Sequence, residues 1–350
     1  MKQEMTRYQA LDGLRTIAIL GVLLSHASNS PGMPQYPPWW WHLGDLGNLG
    51  VRIFFVLSGF VITHGLIREH ERHGRIDLRA FHMRRMFRIL PPFVVLMCVV
   101  GAGMASGLLQ VPVRQFLLSL AFLCNYPFPG SVWTIGHLWA LAVEAQFYLL
   151  WPVVMVLTFR RSGPRMAFIL AAFVLAPLVR ALGPAHGMNY PGGFIENADP
   201  LAMGALAAIL FADKAPGRIR RIMESTPALL SGAMIFMLNF EPIPPLVRVT
   251  VCYPLMHLFV AALILRLIQA GRDPATRILA TPPFIFVGAI SYSFYLFQQL
   301  VFNRPPLAWL PGFPWTVLLA FGLAAASYYG IERPVARMRE RFMRRPPSVA

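Results

Sequence analysis

Arg15 and His26 stand eleven residues apart in the apolar run LDGLRTIAILGVLLSHAS. On an α-helix that spacing is about three turns plus ~20°, so the two side chains share one face, roughly 16 Å apart along the axis. Charge inside a bilayer costs a few kcal/mol or more and usually marks function. An imidazole there is a candidate general base, and a guanidinium a candidate partner for donor charge. The bland alternatives are an arginine that snorkels to headgroups and a histidine that only completes a bundle. A second candidate lies in HLWALAVEAQFYLLWP, where Glu144 follows His137 by seven residues, two turns on the same face. A buried carboxylate needs a partner. His26 is at a compatible depth, and a Glu–His pair would fix the imidazole tautomer and raise its basicity. The alternative is a structural bond from Glu144 to an arginine or tyrosine.

FHMRRMFRILPP supplies the third group. Arg85 and Arg88 are three apart and therefore helical neighbours. Two adjacent guanidiniums repel unless an anion sits between them, and phosphate fits their bidentate forks. Taken alone, Arg84, Arg85 and Arg88 read better as positive-inside charge facing lipid headgroups. Pro91 and Pro92 interrupt the helix ladder beyond them and point to a bend or cavity. Lesser candidates follow. Ser58 in FFVLSGF reads as packing, since no nucleophile elbow surrounds it. Asp12 could pair with Arg15 or cap the first helix. Asp199 and Glu196 flank the sixth apolar run and could bind substrate hydroxyls, and Tyr292 and Tyr295 are candidates to line a cavity. His257 reads as a bundle histidine; His42, His64, His70, His73 and His82 read as loop or interfacial residues.

The elements that must position these groups are membrane helices. Hydrophobic residues make up 56% of the 350 and charged residues 13%, against about 25% charge in soluble domains. A water-soluble enzyme and a disordered chain are both excluded. Apolar run length gives ten spans, near 12–30, 49–67, 86–107, 137–159, 165–182, 198–212, 226–240, 249–269, 283–303 and 313–331. The fold class is thus an all-α polytopic membrane protein, about ten transmembrane helices in one bundle. Residues 113–124 are too short to cross and are expected to lie in the interface or re-enter. The longest polar stretches are 68–88 and the tail from 333, and a loop at 30–48 carries Trp39, Trp40 and Trp41 as interfacial anchors.

With the N-terminus inside, alternation of the ten spans puts 26 Lys/Arg on the cytoplasmic side and 5 on the other. That split is a strong positive-inside signal. The net charge of +16 is therefore read as basic cytoplasmic loops rather than as a nucleic-acid surface. Three cysteines without a CxxC pair argue against a disulfide framework or a structural zinc site. No cleavable leader is visible: the first apolar run reads as the first span.

The pieces LDGLRTIAILGVLLSHA, GVRIFFVLSGFVIT, RRMFRILPP, HLWALAVEAQFYLLWP, ISYSFYLFQQ and IERPVAR, in this order, resemble the acyltransferase 3 family of integral membrane acyltransferases. They run from 11 to about 337, so one membrane domain fills 1–350, with 338–350 a basic cytoplasmic tail. The resemblance implies transfer of an acyl group, usually acetyl, from cytoplasmic acyl-CoA (acetyl-CoA as donor substrate, with no resident cofactor or metal). The acceptor would be a hydroxyl of a cell-surface or exported glycan, a lipid-linked sugar or another glycosylated product. It implies a bacterial cytoplasmic (inner) membrane location among membrane lipids, both termini cytoplasmic. Arg15 and His26 match the family's Arg-x10-His motif, Arg85 and Arg88 its Arg-x-x-Arg motif, suspected of holding the CoA phosphates, and Glu144 its glutamate. The family often has serine and a second glutamate where this chain has Ala140 and Ala145, and a histidine where it has Gln298. His26 would either take the acceptor's proton or become transiently acylated. The competing expectation is a non-enzymatic transporter or flippase of a lipid-linked sugar.

Overall fold

Apolar runs of this length fold as helices because hydrocarbon offers no other partner for backbone N–H and C=O groups. The computed structural model describes all residues except 1, 29, 35–36, 38–44, 127–130, 184–191, 214–216, 241, 270–272, 303–309, 311 and 344–350. Trp39, Trp40, Trp41, His42 and the end of the basic tail lie outside the described residues. Among the described residues every regular element is helical. In chain order they are α1 (Lys2–Ala27), α2 (Leu46–His73), α3 (Leu78–Ala105), α4 (Val113–Leu120), α5 (Leu138–Thr158), α6 (Ser162–Leu182), α7 (Ala198–Ala212), α8 (Arg218–Ser225), α9 (Ala228–Asn239), α10 (Pro245–Val247), α11 (Tyr253–Gln269), α12 (Pro274–Leu279), α13 (Pro282–Val301), α14 (Trp315–Ser327) and α15 (Arg333–Met343). Two π-helical segments, Arg248–Cys252 and Tyr328–Glu332, join α10 to α11 and α14 to α15.

Apolar helices stand at all ten expected places, but among the described residues eight reach spanning length and composition. α9 has 12 residues, about 18 Å of helix, too short for a hydrocarbon core of ~30 Å. α14 reaches length only by continuing through its π segment. The outer helices expose what a lipid-facing surface should: Leu157 is 76% exposed and Leu229 85%. The short segment at 113–124 forms α4, which turns Gln115 inward and leaves Leu117 out.

One expectation is corrected in a way that builds the site. The polar stretch 68–88 is not a loop. α2 runs on to His73 and α3 starts at Leu78, so both helices extend past the apolar zone. Gly74, left-handed at φ 68°, ends α2, and Asp77 caps α3 by accepting from the Ala80 N–H at 2.9 Å. A hairpin this tight holds Arg68 and Arg72 beside Arg84, Arg85 and Arg88. Likewise α1 begins well before Asp12, so Asp12 is no cap. It pairs with Arg15 one turn on.

α1 lies at the centre, packed against α2 and α13, while α2 makes its widest contact with α7. Gly59 of α2 and Gly204 of α7 make that approach possible. A Cβ at Gly59 would strike the Leu201 carbonyl, and one at Gly204 the Val56 carbonyl. In lipid, where apolar burial gives little driving force between helices, such close backbone packing carries much of the association. α2 is thereby clamped on one face, and the face with Val51 and Ser58 is free to line a cavity.

Candidate active site

Three cavities lie in file through the bundle. The first is a vestibule of about 470 Å³ lined by six arginines, from α2, α3 and α15, and one glutamate, Glu69. Arg84 donates to Glu69 at 2.5 Å. The second, of about 100 Å³, is walled by α1, α2, α3, α5 and α13 and contains Arg15, Arg85, Arg88, Ser58, Glu144 and Tyr148. Ile62, Arg85 and Arg88 face both of these cavities. The third, about 620 Å³, holds His26, His137, Asp45, Asn48, Trp133, Trp139 and Gln299. Val51 and Tyr295 face both the second and the third. Arg15 and His26 do share a face of α1, and because it runs alongside the file, they line successive cavities.

Glu144 is held by hydroxyls. Ser58 donates to its Oε1 at 2.5 Å and Tyr148 to its Oε2 at 2.9 Å. Tyr148 lies one turn after Glu144 on α5, and its ring has the Arg85 guanidinium carbon 5.5 Å from its centroid. Three guanidiniums line the middle cavity against one lining carboxylate, Glu144, and among the described residues only Arg15 pairs with a second, Asp12, so the cavity is positive and favours an anionic guest. The expected Glu144–His26 couple is not formed. The physical reason is depth: His26 lies in the last turn of α1, whereas Glu144 is nearly two turns into α5 and bonded to Ser58 of α2. His26 Nδ1 instead meets Gln298 Oε1 at 2.9 Å, with Trp133 edge-on at 4.8 Å. An amide oxygen at Nδ1 fixes the N–H there and leaves Nε2 as the basic atom. The position where the family often has histidine is thus the one that orients His26.

α13 joins the two chambers. Tyr292 donates to the Ile89 carbonyl at 2.7 Å, just before Pro91 and Pro92 in α3. Tyr295 donates to the His137 carbonyl at 2.7 Å. His137 Nδ1 is 2.6 Å from Gln299 Oε1, and its Nε2 is 3.0 Å from the Leu296 carbonyl. His137 is therefore an architectural residue that ties the start of α5 to α13.

Asp199, expected at substrate hydroxyls, is placed elsewhere. It is fully buried, and Arg180 grips both its oxygens, at 2.7 and 2.8 Å. His257 Nδ1 lies 3.2 Å from Asp199 Oδ2, Arg52 Nη1 3.3 Å from His257 Nε2, and the Arg52 guanidinium 3.5 Å above the Tyr253 ring. Asp199 lines none of the three cavities. Its carboxylate is used up by Arg180 of α6, with His257 of α11 beside it, so the hydroxyl-binding expectation is withdrawn; His257 is a bundle residue of this cluster.

Sequence reasoning passed over Ser58 as packing, and its alternative of a Glu144–tyrosine bond, which forms here, did not single out Tyr148. The tyrosine's i+4 spacing from Glu144 was a usable signal. Ser58 had none, because its partner is 86 residues away.

The acyltransferase-domain model of the acyltransferase 3 family matches residues 8–329. The chain belongs to that family and is an integral membrane protein. It is similar to "Putative O-acetyltransferase SAS0844" of Staphylococcus aureus, 29% identical over 336 residues, covering 86% of this chain and 52% of the relative. It is 28% identical to "Putative peptidoglycan O-acetyltransferase YrhL" of Bacillus subtilis over 363 residues, 93% of this chain and 54% of the relative. "O-acetyltransferase OatA" of Staphylococcus aureus is 34% identical over 167 residues, 44% of this chain and 26% of that protein. The chain spans about half the length of the first two. No solved structure matches.

Proposed function

We propose that this chain performs membrane-bound O-acyl transfer, moving an acyl group, acetyl by default, from cytoplasmic acyl-CoA to a hydroxyl of a cell-surface or exported glycan. The observation that carries the reading is the file of cavities, arginine-rich at one end and bearing an oriented imidazole at the other. The relatives' names, O-acetyltransferase and peptidoglycan O-acetyltransferase, support the reaction class and a glycan acceptor. The vestibule faces the cytoplasm of a bacterial inner membrane, as the arginine distribution favours.

The CoA phosphates meet Arg85 and Arg88, whose forks suit them. The thin pantetheine arm threads the middle cavity past Arg15, which stabilises donor charge. Glu144, fixed by Ser58 and Tyr148, and Asp12, paired with Arg15, are the counter-charges that keep three guanidiniums compatible when the donor is absent. Tyr292 and Tyr295 wall the path. In the far chamber His26 Nε2 takes the acceptor's hydroxyl proton, and the oxygen bonds to the acyl carbonyl carbon. The thioester C–S bond breaks, and the proton ends on the departing CoA thiolate. A route through acyl-His26 uses the same lone pair, and burst kinetics separate the two.

The test uses the purified full chain. CoA should raise its unfolding temperature, and acetyl-CoA should be consumed with release of free thiol. Arg85→Ala with Arg88→Ala should abolish the stabilisation. His26→Ala should keep it and lose turnover. A transporter would show neither effect, and near-normal transfer by His26→Ala would overturn the catalytic assignment.

A further inference from the structure

The middle cavity holds the donor-facing arginines and the far chamber holds His26, so any group passed between them must cross where the two meet. Among the described residues two side chains face both spaces, Val51 of α2 and Tyr295 of α13. Both are held. Val51 is buried at 7% exposure, and its β-branched side chain has little rotamer choice on a helix. Tyr295 is tied through its hydroxyl to the His137 carbonyl, and its ring stands edge-on to the His137 imidazole at 5.3 Å. That imidazole is itself fixed from both nitrogens by α13. The surroundings are apolar: Phe55 on the donor side meets Trp139 on the far side edge-to-face at 6.0 Å. The space before the meeting point is about 100 Å³ and that beyond it about 620 Å³.

Resting on the acyl-transfer reading, we infer that Val51 and Tyr295 form a throat that sets the length of acyl group delivered to His26. Its rigid side is Tyr295 and its size-setting side is Val51. Such a collar passes a short acyl thioester, refuses a long one, and keeps water of the far chamber away from the arginine cavity. The nucleotide end of the donor stays behind it. Substitutions at Val51 should therefore alter acyl choice without altering donor docking.

The experiment compares Val51→Ala and Val51→Phe with the unaltered full chain. Free thiol release from acetyl-CoA and butyryl-CoA is measured with water as the acceptor, alongside the rise in unfolding temperature on adding CoA. Val51→Ala should raise the butyryl-to-acetyl ratio by about tenfold or more, the discrimination expected for one or two methylenes in a tight apolar site. Val51→Phe should keep the CoA-induced stabilisation and lose turnover of both. An unaltered ratio in Val51→Ala would overturn the throat, and so would full acetyl turnover in a Val51→Phe chain that CoA still stabilises. Should Val51→Phe fail to fold, the ratio in Val51→Ala decides. If the unaltered chain shows neither stabilisation by CoA nor thiol release, the acyl-transfer reading itself fails, a result distinct from normal turnover with unchanged selectivity.

Discussion

Val51 and Arg52 are neighbours in sequence, yet they belong to opposite kinds of interior. Val51 faces the hollow file with Arg15, Arg85, Arg88 and Glu144. Arg52 faces a packed cluster with His257, Asp199 and Arg180. In the packed cluster the carboxylate is gripped by a bidentate guanidinium with an imidazole 3.2 Å away, and it lines none of the three cavities. In the hollow site Glu144 is bonded only to hydroxyls, and Arg15, paired with Asp12, shares a void with Arg85 and Arg88. A buried ion pair that is complete is architecture; a set of like charges around empty space is a site awaiting a counter-ion. Neither burial nor charge count alone separates the two; the void beside the charges does.

Substitutions can break or sharpen this contrast. The largest effect is expected at His26. His26→Ala should lower acyl transfer by about 10²–10⁴-fold, the range for removal of a general base, with its unfolding temperature retained. Next, Asp199→Ala should destabilise the chain by about 3–5 kcal/mol, because Arg180 is left as a buried unpaired charge. Thermal unfolding would register it, and CoA binding by the molecules that remain folded should be unchanged. Stable folding with selective loss of transfer would reverse the assignment of the two clusters. Arg85→Ala or Arg88→Ala should each weaken CoA by about tenfold or more, as loss of a charged hydrogen bond of ~1.5–3 kcal/mol implies, and titration calorimetry should show that loss without a drop in stability. The smallest effect is expected for Ser58→Ala, about 1 kcal/mol as a several-fold fall in turnover, since Tyr148 still holds Glu144. An effect as large as that of His26→Ala would make Ser58 a participant in the chemistry.

Much of the site was legible before any fold. Arg15, Arg85, Arg88 and Glu144 stand out because charge in apolar helices is costly, and they do gather around one cavity. Helical spacing correctly set Arg15 and His26 on one face. It failed between helices. The Glu144–His26 couple was inferred from similar depth, but depth within a span is known only to within its uncertain ends, and the actual offset puts the two in successive chambers. Asp199 failed for a related reason. A carboxylate beside a span looks exposed until α6 and α11 are known to bring Arg180 and His257 onto it. The polar run 68–88 failed because hydropathy marks where a helix leaves hydrocarbon, not where it stops.

The sequence by itself determined that this is a helical membrane protein and which side chains are too expensive to be there by accident. Both follow from local terms, apolar run length and the cost of burying charge, which need no knowledge of neighbours. Only the tertiary structure decided which costly groups cancel one another and which surround a void. That outcome depends on distances of a few ångströms between helices whose residues lie tens to hundreds of positions apart in the chain, and no periodicity along a single helix encodes them.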